Sequence, residues 1–291
     1  MPHDAGSSPY DVLLIGYVTR DIIGSRSLLG GTVAFAAQAA SCLGVRSAMV
    51  TTAPRRFPLL EPLRRDPQIS LFEVPADKET TFHLTYSPQG RSLRVSHRAP
   101  SLTLTDVPQN VRKVPLAFVA PLLSECDRDV VEGLSARVVL CTIQGWLRTL
   151  GPEGQVLPSL SELVTRPPHN LTVVVFSELD HPESERIAQH LAQQGVLVAL
   201  TRSTQGVSLY IPERVDVPAV PAVEVDPTGA GDVFGLVFGL GLAQGLSPVR
   251  AAQQAVLAAA RVVEGPGLGN LSAYVHGSAD GAAHTQASRA S

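Results

Sequence analysis

The chain has 291 residues, of which 44% are hydrophobic and 17% charged, and its formal net charge at pH 7 is −3. This length allows one large α/β domain or two small ones, with a substantial buried core. The weak negative charge provides no surface for a polyanion, so nucleic acid is not expected as a partner. The three cysteines are widely spaced in apolar surroundings, which is typical of reduced thiols in a cytoplasmic protein.

The N-terminal third begins with "DVLLIG" (11–16), an apolar run typical of a buried strand in a parallel sheet. A Gly-Gly pair at 30–31 then opens a small-residue helix, and "SAMVTT" (47–52) is a second strand. Between 69 and 98 apolar and polar residues alternate around a Ser-Pro-Gln-Gly turn, which predicts an antiparallel hairpin. A hairpin inserted into an α/β chain indicates a lid or a surface for a second subunit.

The α/β rhythm resumes after this hairpin. Five strand-like runs follow, at 116–122, 137–143, 171–177, 196–201 and 207–212. An amphipathic helix is predicted at 182–195, another helix at about 230–245, and a last one with Ser247 as N-cap and Pro248 at its first position. The chain is therefore expected to form a mainly parallel sheet covered by helices.

Two segments indicate where in the cell the protein is expected to be located. The first ten residues lack the basic and apolar regions of a signal peptide. The longest apolar run, from Val233 to Leu246, is too short to span a bilayer and is interrupted by glycines. A cytoplasmic protein that does not bind a membrane is therefore expected.

The most informative motif is "DPTGAGD" (226–232), at the start of a predicted helix. Its glycines expose backbone N–H groups, and the first turn of a helix leaves further N–H groups without partners, so the motif can bind an anion. Asp232 would repel a phosphate, but it could accept a proton from an attacking hydroxyl. Phosphoryl transfer needs both functions. The alternative is that Asp232 only stabilises the helix dipole.

Several motifs together resemble the ribokinase-like carbohydrate kinase family. "DPTGAGD" is similar to its C-terminal signature, "IGYVTRDII" to its first strand, "GGTVAFAAQAASCLG" to its glycine pair and helix, and "LTRSTQGVSLY" to its nucleotide-side turn. "IQGWLRTLGPEGQV" is most similar to the branch that contains myo-inositol kinase. The resemblance implies a three-layer α/β fold over 8–275, with a mainly parallel sheet, helices on both faces and a small β lid from about 17–30 and 68–98. The tail, 276–291, is expected to be disordered.

The resemblance also implies the catalytic and acceptor residues. It makes Asp232 the catalytic base, and it assigns an anion hole to the backbone of three neighbours, Gly229, Ala230 and Gly231. Residues that would hold the acceptor's hydroxyl groups are Asp21, Gly30 and Gly31. The acceptor is thus expected to be a small polyhydroxylated molecule, and the lid is expected to pair two subunits as a homodimer.

The donor and cation sites are implied in the same way. Residues that would line the nucleotide groove for ATP are Thr201, Ser203 and Gly206. Asp226 would support a monovalent cation such as K⁺, together with carbonyl groups from the loop 263–269.

Three departures from the family pattern matter. Where the family has Asn-x-x-Glu for magnesium, the chain has Ser177 and Asp180; Asp180 can still bind Mg²⁺ through water, whereas Ser177 supplies a hydroxyl instead of an amide. Thr32 and Gln38 stand near the places of a lysine and an asparagine in many sugar kinases. The acceptor class therefore stays open among sugars, shorter polyols, cyclitols and nucleosides.

Other polar residues follow predicted strands, where ligands bind in open α/β sheets. Glu125 could reach the acceptor there, and a solvated loop acid is the alternative. Gln144 and Arg148 could contact the acceptor or a phosphate, and the alternative for Arg148 is an ion pair with a carboxylate.

The sequence favours an ATP-dependent small-molecule kinase. A second hypothesis, motivated by Ser177 and Asp180, is a ligand-binding or regulatory protein that keeps the fold with weak catalysis. A dinucleotide oxidoreductase is excluded by placement, because the glycine motif lies near the C-terminus and no Gly-x-Gly-x-x-Gly follows the first strand.

Overall fold

The computed structural model describes residues 8–87 and 90–265. The tail, the tip of the predicted hairpin turn and most of the loop 263–269 lie outside the described residues. The helices are α1 Thr32–Cys42, α2 Glu61–Arg64, α3 Arg128–Glu132, α4 Glu162–Thr165, α5 Ser184–Gln193, α6 Ala230–Ala243 and α7 Pro248–Val263. The strands are β1 Val12–Ile15, β2 Thr19–Ile23, β3 Arg26–Gly30, β4 Ser47–Ala53, β5 Ile69–Pro75, β6 Thr80–Ser87, β7 Gly90–His97, β8 Lys113–Val119, β9 Ser135–Thr142, β10 Arg148–Leu150, β11 Val156–Pro158, β12 Val173–Ser177, β13 Leu197–Thr201, β14 Val207–Ile211 and β15 Glu213–Val217.

Nine strands form one large sheet in the order β15-β14-β13-β12-β9-β8-β1-β4-β5. The seven strands from β13 to β5 in this sheet order run parallel to one another. β14 and β15 form antiparallel pairs at the β13 edge of the sheet. The predicted strands are confirmed because their apolar runs are buried on both faces, as parallel strands require. β15 was not predicted: four of its five residues are exposed, so the apolar run that marks the other strands is missing.

Helices cover both faces of this sheet. In β1, Val12 and Leu14 belong to one core with α1, α6 and α7, while Leu13 and Ile15 belong to a second core with α3 and α5. Successive strand residues point to opposite faces, so one strand contributes to both cores. The three-layer arrangement is therefore confirmed.

Helix α6 lies very close to the sheet. A Cβ added at Gly239 would lie 2.9 Å from the Leu116 side chain, and one at Gly235 would lie 3.1 Å from the Phe118 ring. The glycines of α6 therefore permit close packing against β8.

Within 8–87 and 90–265, no helix is long and apolar enough to cross a membrane.

The smaller sheet, which we call the lid, has the order β3-β2-β6-β7. The predicted hairpin is β6 and β7, but the lid boundary at 68 is wrong: β5 pairs in parallel with β4 in the large sheet. The apolar face of the lid is already buried within the chain, where Phe82 and Val95 pack with Leu122 and Leu123. A dimer through the lid would therefore have to use other surfaces.

A two-stranded ribbon, β10 and β11, extends beside the lid and was not predicted. The N–H of Val95 in β7 donates to Gly154 O at 2.7 Å, and the Arg94 guanidinium donates to Glu153 O at 2.7 Å. Gly154 has φ +79°, and a Cβ there would meet Val95 O at 2.2 Å, so this approach requires glycine. The ribbon links the lid to the turn that follows β9.

Candidate active site

The carboxyl ends of the central strands open onto a cleft of about 1860 Å³. Lid strands β6 and β7 border it, with the ribbon, the ends of β9, β12 and β13, and helices α6 and α7. Its wall includes many of the residues singled out from the sequence, namely Thr201, Ser203, Gly206, Ser177, Asp180, Gln144, Arg148, Ala230 and Gly231. Asp21, Gly30, Gly31, Gly229, Asp226 and Asp232 are not part of that wall.

The proposed acceptor residues contact one another at the base of the lid. Asp21 lies against Gly30, since a Cβ added at Gly30 would be 2.2 Å from Asp21 Oδ2. The Thr19 hydroxyl donates to Asp21 Oδ1 at 2.7 Å. Gly31 is the N-cap of α1 with φ +99°, and a Cβ there would be 2.3 Å from Tyr17 O. Both glycines are thus required by close approach, which brings Asp21 to the start of α1.

Phe35 connects this group to the start of α6. A Cβ added at Gly229 would lie 2.6 Å from Cδ1 of the Phe35 ring, and Gly229 itself is left-handed with φ +84°. Phe35 lies one helical turn after Gly31 on α1 and is half-buried. Sequence reasoning did not single out Phe35; its signal would have been an aromatic residue in an otherwise small-residue helix.

The backbone amides at the start of α6 do not all have the same role. The Ala230 N–H donates to Pro227 O at 3.2 Å, so the expectation that it belongs to an anion hole is not met in this structure. Gly231 is the second helical residue, where no intrahelical acceptor exists, and it lines the cleft. Asp232 is the acid of the first turn, where the helix dipole stabilises a carboxylate.

Asp226 closes the turn that leads into α6. Its Oδ1 accepts the N–H of Thr228 at 2.9 Å. The N–H groups of Val225 and Asp226 both donate to Val263 O, at 2.7 and 3.2 Å. The end of α7 is therefore tied to the segment before the glycine motif.

Asp180 is held from both sides of the β9–β12 pair. Its Oδ1 accepts the Gln144 amide at 2.7 Å and lies 3.5 Å from Nη2 of Arg148. Its Oδ2 accepts the Ser177 N–H at 2.8 Å. The Asp180 side chain is 9% exposed and the Arg148 side chain 13%. The ion pair that the sequence suggested for Arg148 is present, but it lies in the cleft wall.

The nucleotide-side residues come from the end of β13 and from the turn that leads to β14. Gly206 has φ +94°, and a Cβ there would meet Val217 O at 2.1 Å, so glycine lets the turn pass under the end of β15. Arg202, between Thr201 and Ser203, donates to Glu178 at 3.0 Å and to Ser208 at 2.7 Å. These side-chain contacts of Arg202 therefore hold the turn in place.

Glu185 continues this anchoring network. Burial opposes ionisation of its carboxyl, but the hydrogen bonds from Tyr210 and Arg202 outweigh burial and lower its pKa. Burial and the same contact raise the pKa of Tyr210 to about 12. Glu185 therefore stays ionised beside Arg202 at neutral pH.

Beyond this turn the cleft has an apolar trough. This trough is lined by the segment 219–224 and by the C-terminal half of α7. Side chains of valine and alanine predominate on both sides, with Val220, Ala222, Val256, Ala259, Ala260 and Val263 among them.

Glu125 is not an acceptor-binding residue. It is completely buried, with Oε1 accepting the N–H groups of Tyr17 and Leu122 at 3.1 and 3.0 Å, and Oε2 those of Leu122 and Leu123 at 2.9 and 2.7 Å. Burial raises the pKa of Glu125, and these backbone donors oppose the rise. Both expectations for Glu125, a ligand-binding acid and a solvated acid, are wrong.

Among residues 8–87 and 90–265, no group of three or more His, Cys, Asp or Glu side chains could hold a metal ion. Mg²⁺ does not require such a group, because it keeps several waters and binds through one or two carboxylates plus substrate phosphates. Asp180 provides one carboxylate in the cleft wall, so the donor set fits a hydrated Mg²⁺.

Comparisons with known proteins agree with this geometry. Residues 156–273 match the model of the pfkB family carbohydrate kinases. The chain is 28% identical over 272 residues to inositol 3-kinase from Oryza sativa subsp. japonica, covering 85% of this chain and 67% of that protein.

Two solved structures share the fold. A pyrophosphate-dependent kinase in the ribokinase family, complexed with a pyrophosphate analog and myo-inositol, superposes with a TM-score of 0.78 at 17% identity, covering 91% of this chain and 99% of the other. A putative ribokinase II from E. coli, in complex with ATP and Mg²⁺, superposes with a TM-score of 0.68 at 20% identity, covering 94% and 99%. The ribokinase-like fold is therefore shared over nearly the whole chain.

Proposed function

We propose that this chain is a carbohydrate kinase of the pfkB family and that it transfers the γ-phosphoryl group of ATP to an alcohol of a cyclitol of the inositol class. The contact between Phe35 and Gly229 carries the proposal. It places the start of α1, with Asp21 and Gly30, against the start of α6, with Gly231 and Asp232. An acceptor hydroxyl held by the first group thus faces the acid and amide of the second.

In the proposed reaction the acceptor hydroxyl oxygen forms the new P–O bond, and the bond between the γ-phosphorus and its bridging oxygen breaks. The hydroxyl proton goes to the carboxylate of Asp232, and ADP leaves. The Gly231 N–H, at the positive end of α6, stabilises charge on the transferred phosphoryl oxygens. Asp21, fixed by the Thr19 hydroxyl, orients the acceptor through hydrogen bonds.

Mg²⁺, when bound, would neutralise charge on the donor phosphates, and Asp180 would hold it through water. Asp226 would support a monovalent cation, because its turn is tied to the Val263 carbonyl at the beginning of the loop expected to supply the other ligands. Replacing K⁺ by tetramethylammonium, which is too large for a carbonyl cage, should then lower turnover.

The apolar trough favours a nucleotide over pyrophosphate as donor. Its valine and alanine side chains continue the cleft beyond the phosphate end and offer a surface of the kind that buries a nucleobase. A donor that consists of phosphates alone would leave that surface unused. Pyrophosphate is nevertheless the second candidate, since a structurally similar kinase depends on it.

A matrix of donors and acceptors tests the proposal. ATP, GTP and pyrophosphate should each be combined with myo-inositol, ribose, a shorter polyol and adenosine, and phosphorylated product should be measured directly. We expect saturable turnover with ATP and the cyclitol. Turnover with pyrophosphate alone would overturn the donor assignment, and saturable ligand binding without turnover would favour the regulatory alternative.

A further inference from the structure

Arg148 lies in the cleft near the carboxyl end of β9, on the side where the proposed function requires the phosphates of the donor. It follows the short turn Ile143–Leu147, which leaves the carboxyl end of β9, and it begins the ribbon. Its side chain is 13% exposed and lines the cleft. The end of β9 lies under α6, since a Cβ at Gly235 would be 3.6 Å from the Thr142 methyl group. Arg148 and Gly231 line the same cleft.

Two arginines among the described residues line the cleft wall, and they differ in placement. Arg94 is on the exposed face of the lid and donates from Nε to Glu153 O. Arg148 is on the large-sheet side, beside the β9 and β12 ends and close to the nucleotide-side turn. A triphosphate donor brings several negative charges, which a desolvated guanidinium compensates more strongly than an exposed one. Arg148 is thus the better-placed cation.

Asp180 lies beside Arg148, at a longer distance than from its two hydrogen-bond donors. The Gln144 amide and the Ser177 N–H fix the carboxylate at 2.7 and 2.8 Å, whereas Arg148 Nη2 is 3.5 Å from Oδ1. The guanidinium is a planar fork with five N–H donors, which suits contact with a carboxylate on one edge and a phosphate on another. The carboxylate is thus fixed by stronger contacts than the one it makes with Arg148.

On these grounds we propose that Arg148 binds the terminal phosphoryl group of the donor, and that Asp180, oriented by Gln144, is its positioning residue. The inference rests on the proposed function, because it requires a phosphorylated donor in this cleft. It also assigns Asp180 a role beyond its proposed outer-sphere contact with Mg²⁺. Arg148 stabilises the charge on the phosphoryl oxygens as the bond to the bridging oxygen breaks, and no proton is transferred to or from it.

Donor binding without turnover gives the sharpest test. Affinities for a non-hydrolysable ATP analogue and for ADP should be measured by calorimetry without acceptor, with Arg148→Gln, Arg148→Lys and Asp180→Asn. Arg148→Gln removes a charged hydrogen bond to the terminal phosphate. We therefore expect it to lower the affinity for the ATP analogue about 10- to 100-fold and the affinity for ADP less than about threefold. Arg148→Lys should fall between Arg148→Gln and wild type, since it keeps the charge and loses the fork.

Asp180→Asn tests the positioning role. It should weaken binding of the ATP analogue by less than Arg148→Gln does, and the double variant should be no weaker than Arg148→Gln alone, because both act through one contact. Arg65→Gln, at an exposed ion pair with Glu61 of α2 outside the cleft, is the matched control and should change neither affinity. Steady-state turnover of Arg148→Gln should fall by about 10²- to 10³-fold, less than the largest effects of arginines that contact a transferred phosphoryl group.

The outcomes separate this inference from the proposed function. Equal losses for the ATP analogue and ADP, or no loss, would overturn the role of Arg148 even if wild type is an active kinase. Conversely, an Arg148-dependent preference for the ATP analogue in a wild type without turnover would support the inference and overturn the kinase. If Arg148→Gln does not fold, as judged by urea unfolding, the ratio of the two affinities in Arg148→Lys decides.

Discussion

Two acidic residues that follow neighbouring parts of the large sheet have opposite surroundings. Glu125, after β8, is completely buried and accepts only backbone N–H groups, from Tyr17, Leu122 and Leu123. Asp180, after β12, lies in the cleft wall, where it accepts the Gln144 amide and the Ser177 N–H and lies beside Arg148. One rule, that acids at strand ends bind ligands, selects both residues.

The partners explain the difference. A carboxylate enclosed by backbone N–H groups fixes the path of the chain, and it has no capacity left for a ligand. A carboxylate bonded to other polar side chains can pass its orientation on to them, and those side chains reach the cleft. We therefore expect substitutions at Glu125 to change stability, and substitutions of the proposed active-site residues to change activity.

The largest expected effect is at Asp232, which tests the activity side of this contrast. Asp232→Asn should lower kcat by about 10²- to 10⁴-fold, because a positioned general base is lost. Its urea-unfolding free energy should change by no more than about 2 kcal/mol, since a half-buried charge at a helix N-terminus contributes up to that amount. Paired measurement of kcat and of unfolding for the same preparation checks both.

Near-normal turnover in Asp232→Asn would remove the base from the mechanism. It would then leave Asp232 as an acid that only stabilises the first turn of α6. Asp129→Asn serves as control, because Asp129 also lies in the first turn of a helix, α3, which packs on the opposite face of the sheet from α6.

Glu125→Gln tests the stability side. Whichever oxygen becomes the amide NH₂, a buried N–H of Tyr17 or Leu123 loses its acceptor and faces another donor. Each such loss costs about 1–3 kcal/mol, so we expect the free energy of unfolding to fall by about 3 kcal/mol in urea. Glu213→Gln, on exposed β15, is the matched control and should change it by less than about 0.5 kcal/mol.

If Glu125→Gln unfolded like wild type and lost turnover, Glu125 would belong to the site and the contrast with Asp180 would fail.

Much of the fold could be predicted because apolar runs report burial directly. β1, β4, β8, β9, β12, β13 and β14 are all such runs, and their order along the chain is typical of a parallel sheet with helical crossovers. The ribbon and β15 were missed since their residues are mostly exposed. Their pairing depends on main-chain contacts with distant segments, which composition does not record.

The site was less predictable for a related reason. Sequence patterns identify which residue types follow a strand, but not which way the chain turns next. Glu125 is buried because the turn 121–125 folds back over it, with Ser124 at φ +56°. Phe35 meets Gly229 only because α1 and α6 pack together, 194 positions apart in the chain. Such contacts are tertiary, and a single sequence read by itself does not reveal them.

The two left-handed glycines at the ends of α6 offer a test of intermediate size. Gly229 has φ +84° and Gly245 has φ +89°, so Ala is strained at both, at about 1–2 kcal/mol. Only at Gly229 would the new Cβ meet a side chain, the Phe35 ring at 2.6 Å; at Gly245 nothing lies within 4 Å. Both variants should therefore lose stability in urea from backbone strain, and Gly229→Ala should lose more because of the contact with Phe35, which makes Gly245→Ala the control for the strain alone.

Activity should separate them. Gly229→Ala displaces either Phe35 or the start of α6, and we expect kcat/KM to fall about tenfold, since small misplacements of reacting groups are costly. Gly245→Ala should keep wild-type kcat/KM. Equal activities in the two variants would mean that the contact between α1 and α6 does not position the site.

Ser177→Ala should have the smallest effect on activity of these substitutions. It tests whether the Ser177 hydroxyl, besides Asp180, contributes to the proposed Mg²⁺ site at the end of β12. The Ser177 hydroxyl accepts only the N–H of Leu179 at 3.2 Å among the contacts described, and Leu179 is 86% exposed, so water can replace it. The bond that orients Asp180 comes from the Ser177 backbone and survives the substitution. The Mg²⁺ concentration for half-maximal activity should therefore shift by less than about threefold, as for other near-neutral surface changes. A shift of tenfold or more would place the hydroxyl beside the metal, and the end of β12 would then bind ligands through both of its polar side chains.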